Sequence, residues 1–372
     1  MKLTREVCAA LLSVVACLSG CLASPPAESR PAGTLLIVGG GLDDDTRPIY
    51  ERLVELASAR GPARIVIATA ATGPQEEEAL DKTEALRVWA PGANVSVIRR
   101  ETSTEESVAA IDGATAMLFT GGDQKRITER YRAGDGDSPE WLAMQRLLAR
   151  GGVIAGCSAG DAMMGQEMLL GGSSAAALGL PRAPETGEEP PELGPQLGPG
   201  MRFLPWAITD SHFFERDRVG RLVAALERSG VRLGLGVGED GCVEVDLATG
   251  EVRGIGISES LLVDVVHLER DGATLRGALA RVIARGDRVS LRERLAARPR
   301  RPQAPAGTPR EIPIVEPGQN RQLASWRLFR CAAQPDAPPQ RLALGTWQVI
   351  AWPAGEGDVA FDIEPCSKAE TR

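Results

Sequence analysis

Histidine is nearly missing from this sequence: of 372 residues only 2, His212 and His267, carry an imidazole. There is also no CxxC pair among the 7 cysteines. A zinc or other His/Cys metal centre is therefore not expected, because such sites draw closely spaced ligands from those two residue types. No metal and no cofactor is assigned. A basic surplus is lacking as well, since 42 Lys and Arg face 50 Asp and Glu, for a net charge of -8. Nucleic-acid binders carry a basic footprint that neutralises phosphates, so a general role of that kind is excluded. Lysine is scarce and the cations are almost all Arg, a bias that GC-rich coding accounts for in an Ala/Gly/Arg-rich chain. The apolar stretch from Val7 to Leu18 falls short of the ~20 residues that a spanning helix needs. What remains is an ordinary apolar content of 43%. It rules out wholesale disorder and, at this length, implies one large α/β domain or two.

The first residues read as a targeting segment, to be set aside before the fold is considered. Lys2 and Arg5 precede the apolar stretch, and Leu18-Ser19-Gly20-Cys21 then places small residues directly before a cysteine. This resembles the lipobox of a bacterial lipoprotein, in which cleavage before Cys21 leaves that thiol as the lipid acceptor; an ordinary secretory signal or a short anchor is the alternative. Leu22 rather than Asp follows, which points to the outer membrane, facing the periplasm or the cell surface. The cysteines agree with export. Once Cys8, Cys17 and Cys21 are accounted for, Cys157, Cys242, Cys331 and Cys366 remain, and an oxidising compartment permits Cys331 and Cys366 to bridge.

Residues 1–20 are thus expected to be signal peptide and 21–33 a tether rich in Pro, Ala and Ser. From there, apolar β-branched runs alternate with longer helical patterns, the signature of parallel strands covered by helices. Strands are expected at Thr34 to Val38, Ala63 to Ala68, Asn94 to Ile98, Ala114 to Thr120 and Gly152 to Ala155, with a helix at Thr46 to Arg60. The first strand runs into Gly39-Gly40-Gly41 and the fourth into Gly121-Gly122-Asp123-Gln124. The fold class that follows is a three-layer α/β/α, flavodoxin-like, doubly wound and mostly parallel sheet. In that architecture ligands bind outside the carboxyl ends of the strands. Between 171 and 200 the pattern dissolves into Gly, Pro, Glu and Ala, a long loop suited to a lid. Trp206 to Thr209, Leu233 to Gly238 and Cys242 to Val245 read as further strands, and Arg216 to Ser229 as a helix. Residues 34–297 are read as one domain and 298–317 as a Pro/Arg-rich linker. Residues 318–372, with Trp326, Trp347 and Trp352, are read as a small β-rich C-terminal appendage.

The chemistry centres on Gly156-Cys157-Ser158-Ala159-Gly160, a GxSxG sequence between a strand and a helix. Glycines two residues either side of a serine permit a tight turn that lifts the hydroxyl above the sheet. Cys157 is the weaker nucleophile candidate, because the residue before such a serine packs inward. Serine needs a base at neutral pH, and imidazole is the usual one. His267 sits in an alternating strand pattern, VDVVHLE, that suits a surface or packing role. His212 follows a short strand at a carboxyl end of the sheet, next to Asp210 and ahead of Arg216, Arg218 and Arg221. It is the better base, and guanidinium forks beside it suit a substrate carboxylate.

FTGGDQKRI (119–127), GCSAG (156–160), DSHFFERDRVGRL (210–222) and GLGVGED (234–240) occur in the order and approximate spacing of the cyanophycinase family. Over about residues 33 to 295 the chain resembles these members of peptidase family S51, which also includes dipeptidase E. The resemblance implies a fold related to class I glutaminase domains and a cofactor-free exopeptidase. Its substrate would be cyanophycin, an Asp backbone bearing isoaspartyl-linked arginines, with β-Asp-Arg dipeptides released. It implies Ser158 as nucleophile, His212 as base and Glu239 as the acid that orients it, with Glu185 or Glu188 as alternative acids. Gln124, Asp210, Ser211, Arg216, Arg218 and Arg221 match substrate-facing positions. The N–H groups of Gly122 and Ala159 are placed to bind an oxyanion.

Departures from the family pattern fall at Ser211, where a larger polar residue is common, at Asp217, where glycine is common, and at Gly238, where an acid is common. They bear on substrate preference. The expected partners are a peptide or cyanophycin-like polymer and the membrane, through the lipid; a homodimer stays open. Two alternatives remain, a dipeptidase E-like enzyme for Asp-containing peptides and a non-catalytic, peptide-binding surface lipoprotein.

Overall fold

A computed structural model describes residues 33–42, 46–132, 137–179, 194–313 and 323–366. The lipobox at Cys21 and the alternative acids Glu185 and Glu188 lie outside these residues.

The chain begins with β1 (Thr34–Val38), α1 (Arg47–Ser58), β2 (Arg64–Ala68), α2 (Gln75–Trp89), β3 (Asn94–Ile98), α3 (Thr104–Gly113) and β4 (Ala116–Phe119). Then come α4 (Gln124–Tyr131), α5 (Pro139–Ala149), β5 (Val153–Cys157) and the short α6 (Ala159–Ala162). The five strands pair in parallel in the order β3-β2-β4-β5-β1. The inner strands β1, β2, β4 and β5 are largely apolar because both faces are covered, whereas the edge strand β3 leaves Asn94 and Ser96 exposed. In β1, Leu35 and Ile37 join the core on one side, whereas Leu36 and Val38 join the core beneath Ile49, Tyr50 and Leu53 of α1 on the other. Period-two alternation of a strand thus serves two cores at once.

The next elements are β6 (Glu167–Gly171), α7 (Ser174–Ala177), β7 (Gln196–Pro199), β8 (Ala207–Asp210), α8 (Val219–Ser229), β9 (Leu233–Val237), β10 (Cys242–Asp246) and β11 (Glu251–Gly254). They are followed by β12 (Ser260–Asp264), β13 (Glu269–Asp271), β14 (Thr274–Ile283), β15 (Arg288–Ser290) and α9 (Leu291–Ala296). Strands β10, β11 and β15 extend the first sheet antiparallel from β1. The irregular stretch expected between 171 and 200 is bounded by an antiparallel pair, β6 with β7. Helix α8 begins three residues later than expected, at Val219, because His212 and Asp217 hold positive φ values of 44° and 47° that break a helical start.

The tail supplies β16 (Arg310–Glu311), α10 (Leu323–Ala332), β17 (Gln340–Leu344), β18 (Trp347–Gly355) and β19 (Asp358–Pro365). It is β-rich, as expected, and also holds a helix that the sequence did not announce. Its strands continue a second sheet, ordered β16-β17-β18-β19-β14-β12-β9-β8. The join is β14 to β19, antiparallel, with Ala278 opposite Phe361. The disulfide expected between Cys331 and Cys366 is not formed: Cys331 is an exposed free thiol at the end of α10, whereas Cys366 follows β19, its N–H bonded to Thr346 O. Helix α10 and the end of the last hairpin hold the two residues on different elements. No helix among the described residues is long and apolar enough to cross a membrane.

Candidate active site

The carboxyl ends of β1, β4 and β5 open on one edge of the first sheet, and each ends in a turn with little side chain: Gly39-Gly40-Gly41, Gly121-Gly122 and Gly156-Cys157-Ser158. At the last of these the backbone of Ser158 adopts φ 54° and ψ -101°. A non-glycine residue reaches that region only when its surroundings impose it. They do here, because a β-carbon on Gly156 would lie 2.2 Å from Gly160 O and one on Gly160 would lie 2.9 Å from Phe119 O. Strand and helix therefore pack too closely for any other residue, and the serine between them is thrust outward.

His212 arrives from the second sheet. Strand β8 ends at Asp210, and His212 N–H then donates to Gly39 O at 2.8 Å, which ties the base to the glycine turn after β1. Its Nε2 lies 2.7 Å from Ser158 Oγ and its Nδ1 lies 2.7 Å from Glu239 Oε1. With Nδ1–H donating to the carboxylate, Nε2 is left to accept the serine proton. Burial lowers the His212 pKa, opposed by the Glu239 hydrogen bond and assisted by Arg216 and Arg218, so the ring is neutral and basic at neutral pH. His267 is elsewhere, with its Nε2 at 2.6 Å from Pro299 O. The Cys157 thiol is buried and pushed up to about 12 by desolvation, which leaves it inert at neutral pH.

The N–H groups of Gly122 and Ala159 meet no acceptor among the described residues. The 121–122 loop runs past the serine, since a β-carbon on Gly121 would lie 3.4 Å from Ser158 Cβ. Gln124, at the start of α4, donates through Nε2 to Leu169 O at 2.6 Å and so holds β6 near the site.

The three arginines grouped by the sequence have separate surroundings. Arg221 is buried, and its fork grips the fully buried Asp210 through Nε at 2.9 Å and Nη2 at 2.5 Å. Arg218 donates to Ser211 O at 2.6 Å and to Asp210 Oδ1 at 3.2 Å, and burial draws its guanidinium down to about 10. Arg216 is exposed and makes no side-chain ion pair among the described residues. Of the three, it alone is exposed.

Three residues at the site went unassigned in the sequence. A β-carbon on Gly40 would sit 2.4 Å from His212 Cε1, so glycine there makes room for the ring; the GGG run after β1 was the available signal. Asp161 is fully buried in α6, with neither carboxylate oxygen hydrogen-bonded, and desolvation raises its pKa well above the usual range. Glu215 is half-buried next to Glu239, and burial raises its pKa in turn. Nothing in the local sequence marks either acid as special.

Comparison with known proteins gives the family. The model of peptidase family S51 matches residues 35–240. The cyanophycinase of Nostoc sp. is 27% identical over 284 residues, covering 70% of this chain and 87% of its own. That of Geminocystis herdmanii is 35% identical over 133 residues, covering 36% of this chain and 43% of its own. Among solved structures, a peptidase from an acI-B1 Actinobacterium superposes with a TM-score of 0.52 at 17% identity, covering 70% of this chain and 98% of that one, a likeness of fold. With the family model spanning more than half of its length, the chain belongs to peptidase family S51.

Proposed function

We propose that the protein is an exported serine-type exopeptidase and isopeptidase that hydrolyses cyanophycin or related isoaspartyl Asp-Arg peptides. The observation that carries this reading is the continuous hydrogen-bonded chain from Ser158 Oγ through His212 to Glu239, with 2.7 Å at each link. In the first half-reaction Ser158 Oγ attacks the carbonyl carbon while Nε2 of His212 takes its proton. The oxyanion is held by Gly122 and Ala159 N–H, the C–N bond breaks, and the proton passes to the departing amine. A water then repeats the sequence on the acyl-enzyme, frees the acid and restores the serine. Glu239 keeps the imidazole in its productive tautomer and balances the imidazolium.

The substrate class rests on the names of the relatives, cyanophycinases, and on the exposed fork of Arg216, which suits a free α-carboxylate. An isoaspartyl bond adds a methylene to the main chain, so a fixed carboxylate rather than an extended cleft supplies the register. Export and diacylation at Cys21 belong to the same proposal.

Incubation of the mature protein with cyanophycin, with products identified by mass, is the direct test. Release of β-Asp-Arg dipeptides by wild type and none by Ser158→Ala is expected. Cleavage of Asp-X dipeptides without any attack on the polymer would assign the dipeptidase reading instead. Turnover that survives Ser158→Ala within a few-fold would remove the nucleophile.

A further inference from the structure

Helix α10 belongs to the tail, yet its apolar side packs into the core beside the site. Ala324, Leu328, Phe329 and Ala332 share one cluster with Phe213, Phe214 and Leu222, which flank the His212 turn and open α8. Its polar residues reach further. Ser325, 1% exposed, donates through Oγ to Asp217 Oδ1 at 2.9 Å. Trp326 Nε1 donates to Glu259 Oε2 at 2.6 Å, and Arg330 lies 3.2 Å from Glu259 Oε1. Glu259 in turn borders the turn that carries Glu239, because a β-carbon on Gly238 would lie 3.5 Å from Glu259 O.

Asp217 stands between Arg216 and Arg218 and holds φ 47°. Glycine takes that conformation freely and aspartate does not, since its β-carbon crowds the backbone. An aspartate held at that angle needs a restraint from outside the turn. Ser325 holds the carboxylate, and Ser174 Oγ donates to the Asp217 carbonyl at 2.5 Å. The first comes from a residue more than one hundred positions along the chain. A carboxylate whose hydrogen bond is shielded from water is strongly held.

We propose that α10 is a positioning element of the active site, in which Ser325, through Asp217, fixes the 214–218 turn and with it the direction of the Arg216 fork. This rests on the peptidase reading above. The geometry makes Ser325 a residue that sets how substrate is held rather than how the bond is broken. Its loss therefore acts on KM and spares the Ser158–His212 pair.

The test is a double-mutant cycle of Ser325→Ala and Asp217→Gly, read by kcat, KM and the rate at which a fluorophosphonate labels Ser158. Ser325→Ala is expected to raise KM about tenfold, the scale of one shielded hydrogen bond to a charged group, with kcat within about twofold and the labelling rate unchanged. In the Asp217→Gly background the turn needs no tether, so the same change is expected to have little effect on KM. A Ser325→Ala enzyme with wild-type KM, altered only in thermal stability, would overturn the proposal. So would an equal loss in both backgrounds. A wild-type protein that neither labels nor cleaves any Asp-containing peptide would instead overturn the peptidase reading, and this inference with it.

Discussion

Asp210 and Arg221 form a two-point ion pair out of contact with water, 2.9 and 2.5 Å long, directly beneath the turn that delivers His212. Removal of Arg221 leaves the fully buried Asp210 carboxylate with the longer bond from Arg218, at 3.2 Å. Arg221→Met is therefore expected to cost ~3–5 kcal/mol of folding stability, measured by urea denaturation. Arg216→Lys, at an exposed position, should leave the denaturation midpoint within experimental error and raise KM instead. The same response from both variants would mean that the arginines share one role after all.

The depressed pKa of His212 gives a signed prediction. Only the neutral ring accepts the serine proton, so kcat/KM falls as pH drops through the folded-state pKa, which burial sets below the ordinary 6.5. Arg216 and Arg218 both hold it down and Glu239 holds it up. Arg216→Gln removes one opposing cation, so the acid limb should move to higher pH. A limb that stays in place or moves lower would show that Arg216 does not act on the imidazole.

Gly40 offers a steric test, in which its φ of 139° adds backbone strain to the contact with the ring. In Gly40→Ala the new methyl would lie 2.4 Å from His212 Cε1 and 2.7 Å from Nδ1, so the ring must shift. Misplacement on the scale of an ångström costs on the order of a hundredfold in rate. kcat and the Ser158 labelling rate should fall together. Loss of folded protein in circular dichroism, rather than of activity, would trace the effect to the backbone.

Asp161 gives the last test. The unfolded chain ionises this acid near its ordinary 3.8, whereas burial, with Asp210 adding repulsion and Arg218 opposing, keeps it protonated to much higher pH in the folded state. Above 3.8 the native protein thus binds more protons than the unfolded one, and stability declines as pH rises, until the folded pKa is passed. The slope from one such group is at most ~1.4 kcal/mol per pH unit. Asp161→Asn mimics the neutral acid. Its stability advantage over wild type should be absent near pH 3 and grow towards neutrality. Parallel stability curves for the two proteins would refute the burial argument.

Sequence legibility followed the physics of each element. Strand β3 was placed to the residue at Asn94–Ile98, and β1 likewise, because isolated apolar β-branched runs between turns have few other uses. Ser158 and His212 were legible from a glycine-framed serine and a near-absence of histidine, Glu239 only through the family resemblance, and the structure brings the three together. The arginine run was harder. Spacing alone puts Arg216, Arg218 and Arg221 on one short segment, but only the fold decides that Asp210 claims two of them. Helix α10 was also missed, since its apolar face is matched to a surface that a chain reader cannot see. Gly40 was visible as a glycine and silent as to why, because a close approach between segments far apart in sequence leaves no local mark.

The pairing of β19 with β14 has a consequence in time. Strand β14 lies between β12 and β19, so the second sheet keeps an open edge at Leu275–Ala280 until β19, about eighty residues further on, has been synthesised. An unpaired apolar edge invites association with other chains, and contacts so distant in sequence form slowly. A chain cut short after residue 345 would lose β18 and β19 together and leave Leu275, Leu279 and Phe329 without their cover. The order of synthesis thus makes β19 the strand that closes β14, long after the rest of that sheet's β8, β9 and β12 have been made.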